Sequence, residues 1–291
     1  MTMPRWLVKT VAVCPGVVVS TALVWMVGSV LPPTGGAVLF WAGLAVAAVA
    51  GGARTEPLAA LTLMAARRPR PKEWGVLAPA VTMLCRVGLG PPVIQIRVRP
   101  SWRRVGARGA GRRTLVLSTG LVEAMADGVL PADQAAAVIA DQAALVQGGW
   151  VRADLLLTWW SLPWDVLGAV VTAFTAAAGR ALPPTRLAWR ARVVVGAIAV
   201  VQQAQQGQRV FAALIAGILA VSYAVPVAGR AWQLRKDAAG DAALGEAGLD
   251  RAMLAYLRRL PSDPQTRRRI RALSAAVNTA PGSRGHLALV R

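Results

Sequence analysis

The sequence predicts an α-helical integral membrane protein with about four transmembrane helices and a small α+β cytosolic domain. Three observations support this class. The 291-residue chain is 55% hydrophobic, which exceeds the usual share in a soluble globular domain. Its apolar residues are concentrated in a few long stretches. Between the first two and the last two of these stretches lie short runs that are rich in β-branched residues.

The first domain, residues 1–53, is predicted to be a transmembrane hairpin. No charged side chain occurs between Lys9 and Arg54, and a single span needs only about 20 apolar residues. The run is therefore long enough for two helices, at roughly 10–31 and 36–53, with the sequence LPPTGG as the turn because Pro and Gly end helices. A cleaved signal peptide is the alternative, but no small-residue cleavage site stands out.

The second domain, residues 54–150, is predicted to be cytosolic. The sequence that follows the hairpin, RTEPLAALTLMAARRPRPKEW, has a strong excess of Arg and Lys, and such an excess marks the cytoplasmic side of a membrane protein. Within this domain 93–99 and 114–118 are predicted to be strands, with a loop between them. A helix is predicted to begin at Pro131, since proline is tolerated in the first turn.

The third domain, residues 151–229, is predicted to be a second transmembrane hairpin, and 230–291 a cytosolic, helical C-terminal part. The stretch 155–179 is long enough to span but contains Pro163, whereas the later apolar stretch has no such early break. If both stretches cross, the arginines between them lie on the outer side of the membrane, whereas Arg and Lys are usually enriched on the cytoplasmic side. Whether 155–179 and 193–208 fully cross the membrane therefore stays open.

A net charge of +20 points to anionic partners. The favoured partner is a lipid bilayer with an anionic inner leaflet, at the inner (plasma) membrane. Nucleic acid is the less favoured partner, because the clusters RVRPSWRRVGARGAGRR and TRRRIR lack interleaved aromatic residues and any known nucleic-acid module. Two cysteines make no disulfide framework.

One predicted helix carries an unusual polar pair in an apolar sequence. In AAAVIADQAALVQGG, residues 135–149, Asp141 and Gln142 lie in the middle of the helix. The order of a strand, STGLVEAM, LPADQAAAVIADQAAL and a membrane span resembles the HtpX-like integral-membrane zinc metalloproteases. In that family a TTGLL-type turn precedes a helix with the pattern L-x-x-x-E-L-x-x-V-L-A-H-E-x-x-H. The resemblance places Asp141 and Leu145 on the two histidines, and Gln142 on the catalytic glutamate.

Two later motifs continue the resemblance. The family has an R-x-x-E-x-x-A-D segment that supplies the third zinc ligand, and here RAWQLRKD matches it at Arg230 and Asp237, with Gln233 in place of the ligand. The family also has a T-H-P-x-x-x-x-R-I-x-x-L element, and here SDPQTRRRIRAL has Asp263 in place of the histidine. The matching residues of that element are Pro264, Arg269, Ile270 and Leu273.

The resemblance implies a metalloprotease-like cytosolic part that has lost its catalytic site. A zinc site of this class needs two imidazoles one helical turn apart and a carboxylate, and Asp141, Gln142, Leu145 and Gln233 replace these groups. The one histidine, His286, lies outside every matched motif. The sequence therefore predicts no catalytic residue, no metal and no cofactor. The expected function is that of a pseudoprotease, a non-catalytic scaffold or regulatory subunit that binds other membrane proteins in a complex.

Three alternatives stay open at the sequence level. A site for a harder metal such as Mg²⁺ or Mn²⁺ would use the carboxylates of Asp141, Asp237, Asp241 and Asp263, although glutamine at the other two positions does not favour it. A membrane-anchored accessory protein would handle nucleic acid in DNA transfer or secretion. A hydrolase with an unfamiliar site is the third alternative.

Overall fold

The computed structural model describes residues 4–52, 55–100, 104–178 and 185–279 of the chain. It divides into two compact units. The first comprises Met1–Ala47 and Leu157–Leu234, and the second comprises Ala48–Leu156 and Arg235–Arg291. Most of the described residues are helical, and the second unit contains a small three-stranded sheet.

The elements follow one another along the chain in an order that begins and ends with helices. They are α1 (Arg5–Val30), α2 (Pro33–Ala50), α3 (Glu56–Met64), α4 (Pro71–Arg86), β1 (Gln95–Arg99), β2 (Ala107–Ala110), β3 (Thr114–Ser118), α5 (Thr119–Ala126), α6 (Ala132–Gln147), α7 (Asp154–Ala178), α8 (Thr185–Gln205), α9 (Arg209–Glu246), α10 (Asp250–Leu257) and α11 (Pro264–Thr279).

In the first unit, α1 and α2 form the predicted helical hairpin, but the turn is shorter than the sequence suggests. Helix α2 begins at Pro33, because proline has a fixed φ that suits the first turn of a helix. The two helices approach closely near the turn, where a Cβ on Gly36 would lie 2.6 Å from the Gly28 carbonyl oxygen. Helix α7 continues through Pro163, so this proline does not interrupt the helix as expected from the sequence.

Two helices in the described part of the chain are long and apolar enough to cross a membrane. They are Leu7–Met26 within α1, and α9. Shorter apolar helices cover Thr34–Val49 and Val194–Gln205. The two long helices support an association with the membrane.

The sheet of the second unit has the strand order β1-β3-β2, with β1 parallel and β2 antiparallel to β3. The prediction of a plain loop between the two sequence-predicted strands was wrong, because this segment contains β2. Its sequence, ARGA, has little intrinsic preference for a strand, so tertiary contacts hold it. The Glu56 carboxylate accepts backbone N–H groups of Arg112, Arg113 and Thr114 at 2.7–2.9 Å, which fixes the turn between β2 and β3.

The two faces of the sheet belong to different apolar clusters, since side chains alternate along a strand. Residues such as Leu115 and Leu117 of β3 join the main core, which α4, α5, α6 and α10 complete. Val116 faces the other way and joins a smaller cluster with α3. The segment STGLVEAM, which the resemblance matches to a TTGLL-type turn, forms most of helix α5 in the structure. The hydroxyl of its N-cap Ser118 accepts the Leu121 N–H at 3.0 Å.

Candidate functional site

Helix α6 carries the polar pair into the core of the second unit. The sequence predicts a start at Pro131, and in the structure Pro131 is the N-cap, one residue before the first helical residue, Ala132. Alanines at 135–137, 140 and 143 are buried and allow neighbouring elements to approach closely. Asp141 is only 4% exposed, and a buried carboxylate is costly unless charges and hydrogen bonds compensate it. The partners of Asp141 therefore define the site.

The main partner of Asp141 is the guanidinium of Arg269 on α11. Arg269 Nη2 lies 2.6 Å from Asp141 Oδ1 and 2.7 Å from Asp241 Oδ1 on α9. Arg269 Nε also donates to Asp241 Oδ1 at 2.9 Å. All three side chains are largely buried, with 6–16% of each exposed. We call Asp141, Arg269 and Asp241 the carboxylate–guanidinium cluster; it joins helices α6, α9 and α11.

The electrostatics of the cluster follow from one cation between two acids. Burial alone would lower the pKa of Arg269, but the charges and hydrogen bonds of Asp141 and Asp241 outweigh burial and raise it. The pKa of Asp241 is also raised, chiefly by burial and further by Asp141 and Asp237, while Arg269 opposes that rise. The guanidinium is therefore held firmly charged, whereas the second carboxylate is only partly compensated.

Gly240 lets α9 approach the cluster. A Cβ at this position would overlap the Asp141 carboxylate, and it would lie 3.7 Å from the Asp141 carbonyl oxygen. Glycine therefore allows α9 to approach α6 closely enough for Asp141 and Asp241 to share one guanidinium.

Gln142 connects the cluster to the sheet. Its Nε2 donates to Asp141 Oδ2 at 2.9 Å, and its Oε1 accepts the Gly109 N–H of β2 at 3.2 Å. Gly109 pairs with Leu115 in the sheet, and its N–H points away from β3 toward α6. The amide of Gln142 thus donates a hydrogen bond to the Asp141 carboxylate and accepts one from the edge strand of the sheet.

The other predicted positions have structural roles of different kinds. Leu145 is 3% exposed and lies one helical turn after Asp141. Asp263 precedes α11, and its Oδ1 accepts the Thr266 N–H at 2.7 Å, which lowers the pKa of Asp263. Gln233 belongs to the first unit, whereas Asp141 and Leu145 belong to the second. His286 lies outside the described residues.

Two carboxylates of the second unit, those of Asp141 and Asp241, converge on the guanidinium of Arg269. Asp237 Oδ2 accepts the Gln265 Nε2 hydrogen at 3.2 Å, one helical turn before Asp241 on α9. No group of three or more His, Cys, Asp or Glu side chains among the described residues is placed to hold a metal ion. The four-aspartate site considered from the sequence is thus not assembled in the described part of the chain.

The partner of Asp141 was not predicted from the sequence, in which Arg269 matched a motif without an assigned contact. The sequence contained a usable signal, because a carboxylate in the middle of an apolar helix requires a nearby cation. Arg269 also lies beside Ile270 and four residues before the buried Leu273, so it is on the inward side of α11.

Comparison of the chain with protein-family models, with curated proteins and with solved structures gave no match. The comparisons therefore give no support to the HtpX-like resemblance. That resemblance rests only on the motifs quoted from the sequence.

Proposed function

We propose that the protein is a membrane pseudoprotease, a non-catalytic scaffold or regulatory subunit of a membrane protein complex. In this proposal four helices cross the inner membrane, and the second unit is a metalloprotease-like domain on the cytoplasmic side. The two long apolar helices, α1 and α9, support membrane association. Helix α9 has 38 residues and a length of about 57 Å, so it extends beyond a hydrocarbon core of about 30 Å. Its charged end, which includes Asp241, then lies outside the membrane.

The observation that carries the proposal is the carboxylate–guanidinium cluster. By the resemblance, Asp141 stands where a zinc-binding histidine would be. Here that position contacts the guanidinium of Arg269, a permanent cation. A guanidinium cannot activate water as a metal ion does, so the cluster supports a structural rather than a hydrolytic role.

The cluster also suggests an alternative register for the third motif. The adjacent small residue and acid at the end of the pattern fit Gly240 and Asp241 better than Lys236 and Asp237, because Gly240 contacts Asp141 and Asp241 binds Arg269. In this register the arginine of the pattern falls on Leu234 and not on Arg230. In the R-x-x-E-x-x-A-D pattern the ligand lies four residues before the final acid. We therefore propose that Asp237, and not Gln233, occupies the position of the third ligand.

Restoration of a zinc site tests this proposal with a built-in control. The double variant Asp141→His with Leu145→His should bind one tightly held zinc per chain, because Asp237 supplies the third ligand. Adding Asp237→Asn should abolish that binding, whereas adding Gln233→Glu should leave it unchanged. The parent should hold substoichiometric zinc and cleave no general protease substrate.

The readout is zinc stoichiometry by elemental analysis of folded protein in nanodiscs. Zinc binding that requires Gln233→Glu would contradict the alternative register and favour the one in which Gln233 occupies the ligand position. If the double variant folds but binds no zinc, either alone or with Gln233→Glu, the metalloprotease-like arrangement is contradicted. A parent with metal-dependent proteolysis would favour the hydrolase alternative.

The scaffold role is tested by affinity purification from native membranes. One or a few membrane proteins should co-purify in stoichiometric amounts and persist in high salt, because the complex is expected to bury apolar surface. The nucleic-acid alternative draws on Arg267, Arg268 and Arg271, which are exposed on α11. DNA retention that disappears in high salt, without a stoichiometric protein partner, would favour that alternative.

The membrane topology is tested by cysteine labelling in a background without Cys14 and Cys85. A cysteine at Leu31, in the exposed turn between α1 and α2, should be labelled only from the outer face. A matched cysteine at Lys72, exposed on α4, should be labelled only from the cytoplasmic side. Labelling of the Leu31 position from the cytoplasmic side would contradict the four-span proposal.

A further inference from the structure

Arg97 of β1 is a second buried cation, and it has no carboxylate partner among the described residues. Its side chain lies in the middle of β1, and the residue is only 7% exposed. Nη1 donates to the Ala66 carbonyl oxygen at 3.3 Å. Nε is buried and has no hydrogen-bond partner within the described part of the chain. A charge that is removed from water in this way is costly unless a counter-ion is present.

The charge that acts on Arg97 from nearby is another cation. Burial, and then the charge of Arg68, lower the pKa of Arg97. A carboxylate does occur in this region, but it serves a different arginine, since Glu73 Oε2 accepts from Arg67 Nη1 at 2.8 Å. The backbone also places Arg68 close to Arg97, since the preceding residue, Arg67, pairs with Val98. Among the described residues no acid forms an ion pair with either arginine.

The same face of the sheet offers a further unused donor. Arg97 pairs with Val116 of β3, and Thr114 lies two residues before Val116, so Arg97 and Thr114 are diagonal neighbours on one face. The Thr114 hydroxyl is buried, and it also has no hydrogen-bond partner among the described residues. Two neighbouring side chains on one sheet face thus carry buried donors without acceptors. The Glu56 carboxylate also lies beside Thr114, but three backbone N–H groups, including that of Thr114, already donate to it.

We propose that Arg97, Arg68 and Thr114 form a binding site for a phosphate group, either inorganic phosphate or a phosphate monoester such as a lipid headgroup. Two guanidinium charges match a doubly charged oxyanion, whereas a carboxylate would neutralise only one of them. The planar fork of donors on arginine also fits the oxygens of a phosphate group. This site is independent of the pseudoprotease proposal, since it uses no residue of the carboxylate–guanidinium cluster.

The test uses the full chain in nanodiscs and the temperature midpoint at which β1 and β3 of the second unit lose their protection against amide hydrogen exchange. Inorganic phosphate is titrated at constant ionic strength into nanodiscs of phosphatidylcholine. Separate nanodiscs contain phosphatidic acid, which has a phosphate monoester, or phosphatidylglycerol, which supplies negative charge without one. The site variants are Arg97→Gln and Arg68→Gln. The matched control is Arg108→Gln, an exposed arginine that flanks Val116 from β2.

A saturable rise of the midpoint is expected in the parent. A response to inorganic phosphate identifies a free ion as the source, and a response to phosphatidic acid alone identifies a lipid headgroup. Arg97→Gln and Arg68→Gln should weaken the apparent affinity at least about tenfold, because each removes a charge-assisted contact. Arg108→Gln should stay within about twofold of the parent, a difference well below that of a lost contact.

Two results would overturn the site. One is the lack of a saturable response to any of the probes. The other is an equal loss in all three variants, which would mean general attraction of anions to a basic surface. If Arg97→Gln fails to fold, Arg68→Gln decides, because Arg68 is exposed and leaves the buried guanidinium in place.

Discussion

Arg269 and Arg97 are two buried arginines of the same unit, and their surroundings differ in one respect. Arg269 lies between two carboxylates, and its pKa is raised despite burial. Arg97 has one neutral carbonyl acceptor, and burial together with Arg68 lowers its pKa. A buried cation that the fold itself neutralises is a structural element, whereas one that the described residues leave without an anion indicates a site for a ligand.

The largest expected effect comes from removing the compensated cation. Arg269→Leu should destabilise the second unit by about 3–5 kcal/mol, because it leaves Asp141 and Asp241 buried without a counter-charge. Since the chain has two units, the measurement is amide hydrogen exchange of α6 and α11 rather than a single global transition. Arg268→Leu, an exposed neighbour on α11, is the control and should change little. Equal effects of the two variants on hydrogen exchange would show that Arg269 stabilises the unit no more than an ordinary surface arginine does.

A smaller effect is expected from Gly240→Ala, which changes the packing of the cluster without changing its charge. The added methyl group would overlap Asp141, so α9 must shift, at a cost of about 1–3 kcal/mol. Gly245→Ala, in the same helix and with open space around it, should instead be neutral or stabilise by about 0.5–1 kcal/mol. Hydrogen exchange of α9 measures both variants. A harmless Gly240→Ala would mean that the close approach of α9 to α6 is not needed.

Next in size is a pH effect whose sign differs between two aspartates. The pKa of Asp241 is raised above 3.8, so its contribution to stability is present below that value and is lost as pH rises through the folded-state pKa. The pKa of Asp263 is lowered, so its contribution is present above 3.8 and is lost as pH falls through the folded-state pKa.

The difference between parent and variant in the stability of the second unit, measured by amide hydrogen exchange of α9 and α11, tests these signs. Between about pH 3 and about pH 7, the stability of the parent should fall relative to that of Asp241→Asn as pH rises. Over the same range it should rise relative to that of Asp263→Asn. Slopes of the same sign for both variants would contradict the assignment of Asp241 to a poorly compensated position.

The smallest effect is expected for Arg97→Leu in phosphate-free buffer. Loss of a buried charge that has no carboxylate partner should change stability by no more than about 1 kcal/mol, in contrast to Arg269→Leu. Added phosphate should then stabilise the parent but not the variant. A cost as large as that of Arg269→Leu would show that Arg97 is compensated within the fold.

The helices of the second unit were more predictable than its sheet. The spacing of apolar residues predicted α6 to within one residue of its observed start, because helix periodicity and Pro131 act locally. Strand β2 was missed, since its residues have no preference for a strand. It forms because β3 offers a partner and Glu56, far away in sequence, fixes the turn.

The sequence by itself determined that the chain is rich in apolar helices, that its charge is strongly positive, and that Asp141 requires compensation. These properties depend on composition and on neighbours within one or two helical turns. Only the tertiary structure decided that Arg269 compensates Asp141, that Asp241 shares the guanidinium, and that Arg97 is buried without an acid. The first pairing joins residues 128 positions apart and the second joins residues 28 apart, on different helices. The packing of helices and strands around a common core selects both.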